Sequence, residues 1–288
     1  MKPETLLQIY ERAALCRAFE EECARRFDAG EIKFPLYLSI GQEYIPATVA
    51  TWCEEAGLVD RQIFVQHRAH SVYLSFGGDL DELVLELLGD ARGVCGGMGG
   101  TNCIQSRSAN LYGHDTLLGT QVPIAVGAAY GNRKPTICFL GDAAAEEDYA
   151  LAALGWAATQ RLPILFIVED NNLSILTEKR VRRSWSIVDV ARGFGMKADE
   201  TIDNPESLFA TLDYWNRQWP LLLNVSTTRL RWHSGTGVDN AEAFDRHSAV
   251  ERAVSRLIDL THLGSIRDRT SFRVREAWAR HSAKPSGA

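Results

Sequence analysis

Thr136-Ile137-Cys138-Phe139-Leu140-Gly141-Asp142, then a helix-length stretch from Glu146 to Gln160, then Pro163-Ile164-Leu165-Phe166-Ile167-Val168 running into Glu169-Asp170-Asn171-Asn172: this span decides the fold. Two short apolar runs bounded by turn residues and separated by one helix read as a strand–helix–strand unit. Such a unit makes parallel neighbours with a right-handed crossover, so both strands end on the same edge of the sheet. Ligands of open α/β sheets bind at that edge. The spacing therefore brings the Asp142 carboxylate to an asparagine amide oxygen, a hard-oxygen pair suited to magnesium holding a diphosphate. Gly-Asp and Asn-Asn are also ordinary turn and loop pairs after a strand, so this span needs support from elsewhere in the chain.

Outward from that unit, helices and strands alternate. Leu6, Leu7, Tyr10, Ala14, Ala18 and Phe19 fall at helical spacing, predicting an N-terminal helix that stops at Gly30. A second helix opens at Gly41 and runs to about Glu55, and a third covers Leu80 to Leu88. Gly89 to Gly100 reads as a flexible glycine-rich loop, and Gln121 to Tyr130 as a small-residue helix that packs closely. Beyond Asn172 the pattern predicts helices at Ile187–Phe194 and Pro205–Gln218, an edge strand at Lys197–Ile202 and a strand at Pro220–Ser226. Helices over Ala241–Leu263 and Arg267–His281 close the chain, with a frayed end at Ala283–Ala288. The expected class is α/β, a parallel sheet covered by helices on both faces, in one domain over 1–288 with helical extensions at both ends.

At 288 residues and 45% hydrophobic, the chain can bury one large α/β core. A net charge of -6 without a basic stripe argues against nucleic acid. No apolar run approaches the roughly 20 residues that span a bilayer, and Met1–Gly30 is studded with Glu and Arg, unlike a signal peptide. The six cysteines form no CxxC pair and read as reduced thiols, neither a disulfide framework nor a zinc site. These features lead to the expectation of a cytoplasmic protein. No strand is followed by a GxGxxG turn, which argues against a nicotinamide enzyme.

Further segments line up in order: Gly41-Gln42-Glu43, His67-Arg68-Ala69-His70, Gly96-Gly97-Met98-Gly99-Gly100-Thr101, Leu118-Gly119-Thr120-Gln121-Val122-Pro123, the Gly141–Asn172 span, and Arg229 with His233-Ser234. Together they resemble the α subunit of the thiamine-diphosphate-dependent 2-oxo acid dehydrogenase E1 component, the family of pyruvate, branched-chain 2-oxo acid and acetoin dehydrogenases. The resemblance covers roughly Leu36 to Ser234. It implies the thiamine-diphosphate-binding fold, with thiamine diphosphate and Mg2+ as cofactors. Asp142 would ligate magnesium, Asn171 would be its second ligand, and Leu173 would give a backbone carbonyl. Gly141 and the amides of Ala143 and Ala144 would meet the diphosphate, as would Arg68 and Arg229, whose fork of donors suits phosphate oxygens. Leu118 matches the position that meets the aminopyrimidine and helps bend the cofactor; His67 stands where a tyrosine often contacts it. His233 matches the active-site histidine before a regulatory serine, here Ser234, and His70 is a second candidate for the same pocket. A histidine exchanges protons near neutral pH, as a reacting carbonyl requires.

Three departures stand out. Ala143 replaces a glycine, Glu146-Glu147-Asp148 puts three acids where they would oppose a diphosphate, and Thr101-Asn102-Cys103-Ile104 replaces Ser-Met-His-Met. They point to a retained cofactor site and an altered substrate side. In the family the glutamate that activates the cofactor lies on a separate β subunit, so the resemblance implies an α2β2 assembly in which this chain is inactive alone. The acyl acceptor would be the lipoyl group of a transacylase; the alternative is half of a carboligase or transketolase-like enzyme adding its unit to a carbonyl. A third reading is an assembly subunit that has lost chemistry, against which the Asp142, Asn171 and Arg229 set argues.

Overall fold

The computed structural model describes residues 1–113, 116–239 and 242–282. Six strands form one all-parallel sheet in the order β2-β1-β3-β4-β8-β7: β1 (Gln62–Phe64), β2 (Leu111–Tyr112), β3 (Thr136–Gly141), β4 (Ile164–Asp170), β7 (Lys197–Ile202) and β8 (Leu221–Ser226). The central pair is in register from Thr136↔Ile164 to Gly141↔Glu169. Both central strands read as near-continuous apolar runs because both faces are covered. Ile137 and Phe139 point to one core, with Trp52, Leu83 and Trp278, while Cys138 and Leu140 point to a second, with Val122, Leu154 and Val188. Each wholly buried Leu, Ile or Phe in these layers contributes about 1.5–3 kcal/mol.

The first layer is built by α1 (Pro3–Asp28), α2 (Tyr44–Glu55), α3 (His70–Ser75), α4 (Leu80–Leu87), α9 (Pro205–Leu212) and the long α11 (Leu260–Ser282); the second by α5 (Gln121–Asn132), α6 (Asp148–Thr159) and α8 (Ile187–Gly193). Between β4 and α8 the chain makes a small hairpin, β5 (Leu173–Ser174) with β6 (Thr177–Glu178), and one basic turn, α7 (Lys179–Arg182). No helix among the described residues is long and apolar enough to cross a membrane, and no cluster of three metal-ligating side chains occurs among them. All six cysteines are free thiols.

The α/β class, the edge position of β7 and the strands at β3, β4 and β8 match the expectation. Several boundaries differ, among them the start of the second helix, which lies at Tyr44 and not at Gly41. Glu146–Gln160 is split: Ala144–Glu146 is a 3-10 turn and α6 begins at Asp148. The helix expected to reach Gln218 ends at Leu212, because Asn216 accepts from the amides of Gln218 and Trp219 and Arg217 takes φ 62°, a turn no helix continues through. The last two helices divide earlier than expected. α10 spans Arg246–Val254, and Asp259 then accepts from the His262 amide, starting α11 ahead of Gly264, which sits inside the helix. Ala241 and the expected frayed end at 283–288 lie outside the described residues.

The glycine-rich segment 89–100 is not a loose loop. It wraps around the buried Glu86 carboxylate, which accepts from the amides of Cys95, Gly97, Gly99 and Gly100. Four N–H groups converging on one carboxylate need glycine's freedom; Gly97 takes φ 72° and Gly100 φ 55°.

Candidate active site

Four neighbouring strands, β1, β3, β4 and β8, end on one edge, and the residues just past each end meet there. β1 delivers Gln66, His67 and Arg68; β3 delivers Asp142; β4 delivers Asn171; β8 leads to Arg229. All of these line a single cavity of about 280 Å3, joined by Tyr37, Asn102, Leu118, Gly141, Ala143, Ala144, Leu173, Ile175 and His233. From β1 the chain leaves toward β2 on one side and returns to β3 on the other, the kind of switch point where α/β sheets place their ligands.

Asp142 is 2% exposed. Burial first, and the neighbouring Asp170 second, push its carboxyl up to about 6, against the pull of Arg182, which donates to its Oδ2. Burial opposes ionisation of Asp170 too, but Lys179 and the Asn224 amide hold that carboxyl below the usual range. Asn171 is oriented from both sides: its Oδ1 accepts from the Leu173 amide at 3.0 Å and its Nδ2 donates to Gln42 Oε1 at 3.4 Å. Asn172 supports the turn at φ 67°, its amide bonded to Asp170 Oδ1. Gly141 leaves room for the Gln66 side chain, since a Cβ there would lie 3.2 Å from Gln66 Oε1.

The two arginines are anchored. Arg68 donates to the carbonyls of Leu38 and, at 3.2 Å, His233. Burial and the nearby Arg229 pull its guanidinium down to about 10. Arg229 is clamped by Asp239 at 2.5 Å and donates to the Ile175 carbonyl at 2.8 Å. His233 is partly buried among Tyr37, 5.2 Å between ring centroids, and His67, 5.4 Å. Burial, then Arg68 and Arg229, lower its pKa to about 4, so near neutral pH it is an uncharged imidazole that can donate or accept one hydrogen bond. The Leu118 carbonyl accepts from the Tyr149 hydroxyl, which fixes the position of that residue on the cavity wall.

Eleven of the sequence candidates thus share the cavity: His67, Arg68, Leu118, Gly141, Asp142, Ala143, Ala144, Asn171, Leu173, Arg229 and His233. His70 does not. It opens α3, is wholly buried, faces α1 with Nδ1 3.1 Å from Glu20 Oε2, and packs edge-on against Phe19. Its place in the site is withdrawn: one residue past the strand-end loop, the start of α3 turns the ring into the helical layer. The amides at Ala143 and Ala144 head a 3-10 turn, not α6, so they are directed donors without a full helix dipole behind them. Tyr37, Gln42, Gln66, Lys179 and Arg182 were missed. Gln66 was findable one residue before His67, and the basic cluster 179–183 is conspicuous in the sequence, but nothing local showed that it folds back onto the strand ends.

Residues 11–198 match the model of the dehydrogenase E1 component family. A pyruvate dehydrogenase E1 component subunit alpha of Rickettsia felis is 30% identical over 247 residues, covering 80% of this chain and 73% of the relative. The subunit of the same name from Zymomonas mobilis is 28% identical over 244 residues, 80% of this chain and 68% of its own length. The α subunit of an acetoin:2,6-dichlorophenolindophenol oxidoreductase of Cupriavidus necator is 31% identical over 199 residues, 67% of this chain and 59% of the relative. With the family model spanning well over half of its length, the chain belongs to the dehydrogenase E1 component family, as an α subunit of the thiamine-diphosphate-dependent 2-oxo acid dehydrogenases.

Proposed function

We propose that the cavity holds the diphosphate end of thiamine diphosphate through a magnesium ion, with Asp142, Asn171 and the Leu173 carbonyl as the protein's ligands. The observation that carries this is the meeting of a carboxylate and an amide oxygen at the ends of the registered β3–β4 pair, in one cavity with Arg68 and Arg229. The donor set fits: magnesium takes hard oxygens and keeps phosphate in its shell, and the arginines suit phosphate oxygens. Bound here, the cofactor would supply the carbanion that attacks a 2-oxo acid and the electron sink for decarboxylation. The chain's own residues then have separable tasks. Asp142 and Asn171 fix the metal; the Ala143 and Ala144 amides and the two arginines hold the diphosphate; Leu118, its carbonyl held from behind by Tyr149, forms the wall against the aminopyrimidine. His233, neutral above about 4, serves as a hydrogen-bond donor to the reacting carbonyl oxygen, and not as the near-neutral proton exchanger that an ordinary histidine would be. A β subunit completes the site with the activating glutamate in an α2β2 assembly, and a lipoyl-bearing transacylase accepts the acyl group.

A second reading, transfer to a carbonyl acceptor, is supported by Asn102, which lines the cavity and brings a polar amide to the substrate side. Acylation of a lipoyl domain, run against a panel of aldehydes and ketones, separates the two. For the main reading, Asp142→Ala should abolish magnesium-dependent retention of thiamine diphosphate by the chain copurified with its partner. Undiminished retention would sink the assignment, as would decarboxylation by this chain alone for the β-dependent site.

A further inference from the structure

The acids flanking the site are answered by a basic strap. From Leu173 the chain turns through β5 and β6 into α7, and its cations fold back: Lys179 onto Asp170, Arg182 onto Asp142 and, at 3.3 Å, Glu146. Arg183 Nε lies 3.2 Å from Glu146 Oε1 but is not aligned for a hydrogen bond. Of the three acids the sequence set against a diphosphate, Glu146 is therefore neutralised in place. Arg182 also buries Nε and Nη1 without a hydrogen-bond partner among the described residues, as does Arg183. Buried guanidinium donors left unpaired beside an anion site call for oxygen-rich company.

Resting on the reading above, we propose that Arg182 is a positioning residue for the metal–diphosphate end of the cofactor. It grips Oδ2 of Asp142, leaving the other oxygen to the metal, and it cancels Glu146 so that the diphosphate meets no uncompensated acid. Ligating carboxylates are commonly held this way, and loss of the holding group costs about 10–100-fold in metal affinity. The opposing effect is repulsion between the guanidinium and the metal, which would make removal of Arg182 tighten binding. The sign of the change separates the two.

The test uses the full chain copurified with its partner subunit. Thiamine diphosphate binding is followed by calorimetry at stepped magnesium concentrations for the wild type, Arg182→Gln, Arg182→Lys and Arg180→Gln. Arg180 is exposed and, among the described residues, pairs only with Glu178, so its variant should match the wild type. Arg182→Gln should need about 10–100-fold more magnesium for half-binding, with full binding recovered at high magnesium. Arg182→Lys should need an intermediate amount, since lysine restores charge without the guanidinium's fork. A capacity lost at every magnesium concentration would mean that Arg182 only holds the fold, and would overturn the inference. So would unchanged or tighter binding in both variants, with the wild type still magnesium-dependent. If Arg182→Gln does not fold, an unchanged requirement in Arg182→Lys is enough to overturn it. A wild type that binds no thiamine diphosphate at any magnesium concentration removes the underlying reading itself.

Discussion

Glu86→Gln isolates the clamp that organises the glycine-rich segment. Glu86 is wholly buried at the end of α4. Its Oε2 accepts from Cys95 at 2.7 Å and Gly97 at 2.9 Å, and its Oε1 from Gly99 at 2.7 Å and Gly100 at 3.0 Å. Glutamine keeps one oxygen, and with it two of these bonds, but turns an amide NH2 toward the other two N–H groups. Hydrogen bonds to a charged group contribute about 1.5–3 kcal/mol each, so losing two sets a ceiling of roughly 3–6 kcal/mol. Rotation of the loop toward water relaxes part of this, and about 3 kcal/mol is the expected loss. Relaxation is limited by close packing: Gly93 approaches so nearly that a Cβ there would lie 2.5 Å from the Glu86 Cα. At about 2–4 °C per kcal/mol for a chain of this size, the melting temperature should fall by roughly 6–12 °C. Glu82→Gln, exposed on the same helix, is the control and should stay within about 0.5 kcal/mol. The assay is thermal and urea unfolding by circular dichroism. A Glu86→Gln melting temperature within about 2 °C of the wild type would refute the clamp. Because the clamped segment runs directly through Thr101 into Asn102 on the cavity wall, the same variant should also weaken cofactor retention.

Other substitutions probe other layers. Gly41 has φ 102°, and a Cβ there would lie 2.2 Å from the Thr228 carbonyl oxygen, so Gly41→Ala must push back the segment carrying Arg229. A loss of about 3 kcal/mol or more in urea unfolding is expected, with weaker cofactor binding alongside. Phe139→Ala, at the centre of the sheet, should cost about 3–5 kcal/mol while leaving the magnesium requirement of the folded protein unchanged. For His233 the folded pKa is about 4 against an ordinary 6.5, so between those values the unfolded chain binds a proton that the folded chain does not. Stability therefore falls as pH drops from 6.5 toward 4, and His233→Asn should flatten that part of the stability–pH curve; an unaltered slope would show that the imidazole is not shielded.

The sheet was legible because β3 and β4 are buried on both faces and so carry an uninterrupted apolar signal, with the helix between them fixing direction. β1, β2 and the β5–β6 hairpin are two or three residues long and have no such signal; only their neighbours in the sheet or hairpin define them. Within the site, Asp142 and the Asn171-Asn172 pair were legible because the ends of β3 and β4 place them, whereas His67 and Arg68 follow the unread β1 and were reached only through the family resemblance. His70, offered by the same resemblance, falls outside the cavity because backbone direction changes once α3 begins. Arg182 was invisible for the opposite reason. It reaches Asp142 across 40 positions of sequence through a hairpin and a one-turn helix, and no local pattern encodes that return.

The departures from the family pattern are unequal in consequence, and the structure shows why. Ala143 adopts φ -73° and ψ -36°, a conformation open to any residue, so the absent glycine imposes no backbone strain. Glu146 is absorbed by Arg182 and Arg183. In the Thr101–Ile104 segment, Ile104 is buried in the core, the Thr101 hydroxyl donates to the Pro35 carbonyl, and Cys103 packs beside Cys95 around Gly99. Of those four positions only Asn102 reaches the cavity. Within the cavity, the departures are therefore one amide side chain and His67, whose ring is tilted 57° to that of His233 while Tyr37 packs edge-on against both. On the proposed reading, Asp142, Asn171, Arg68 and Arg229 carry the diphosphate end of the cofactor, so the departures at Asn102 and His67 fall on the wall around His233, where they would bear on the choice of substrate and not on the group that performs the chemistry.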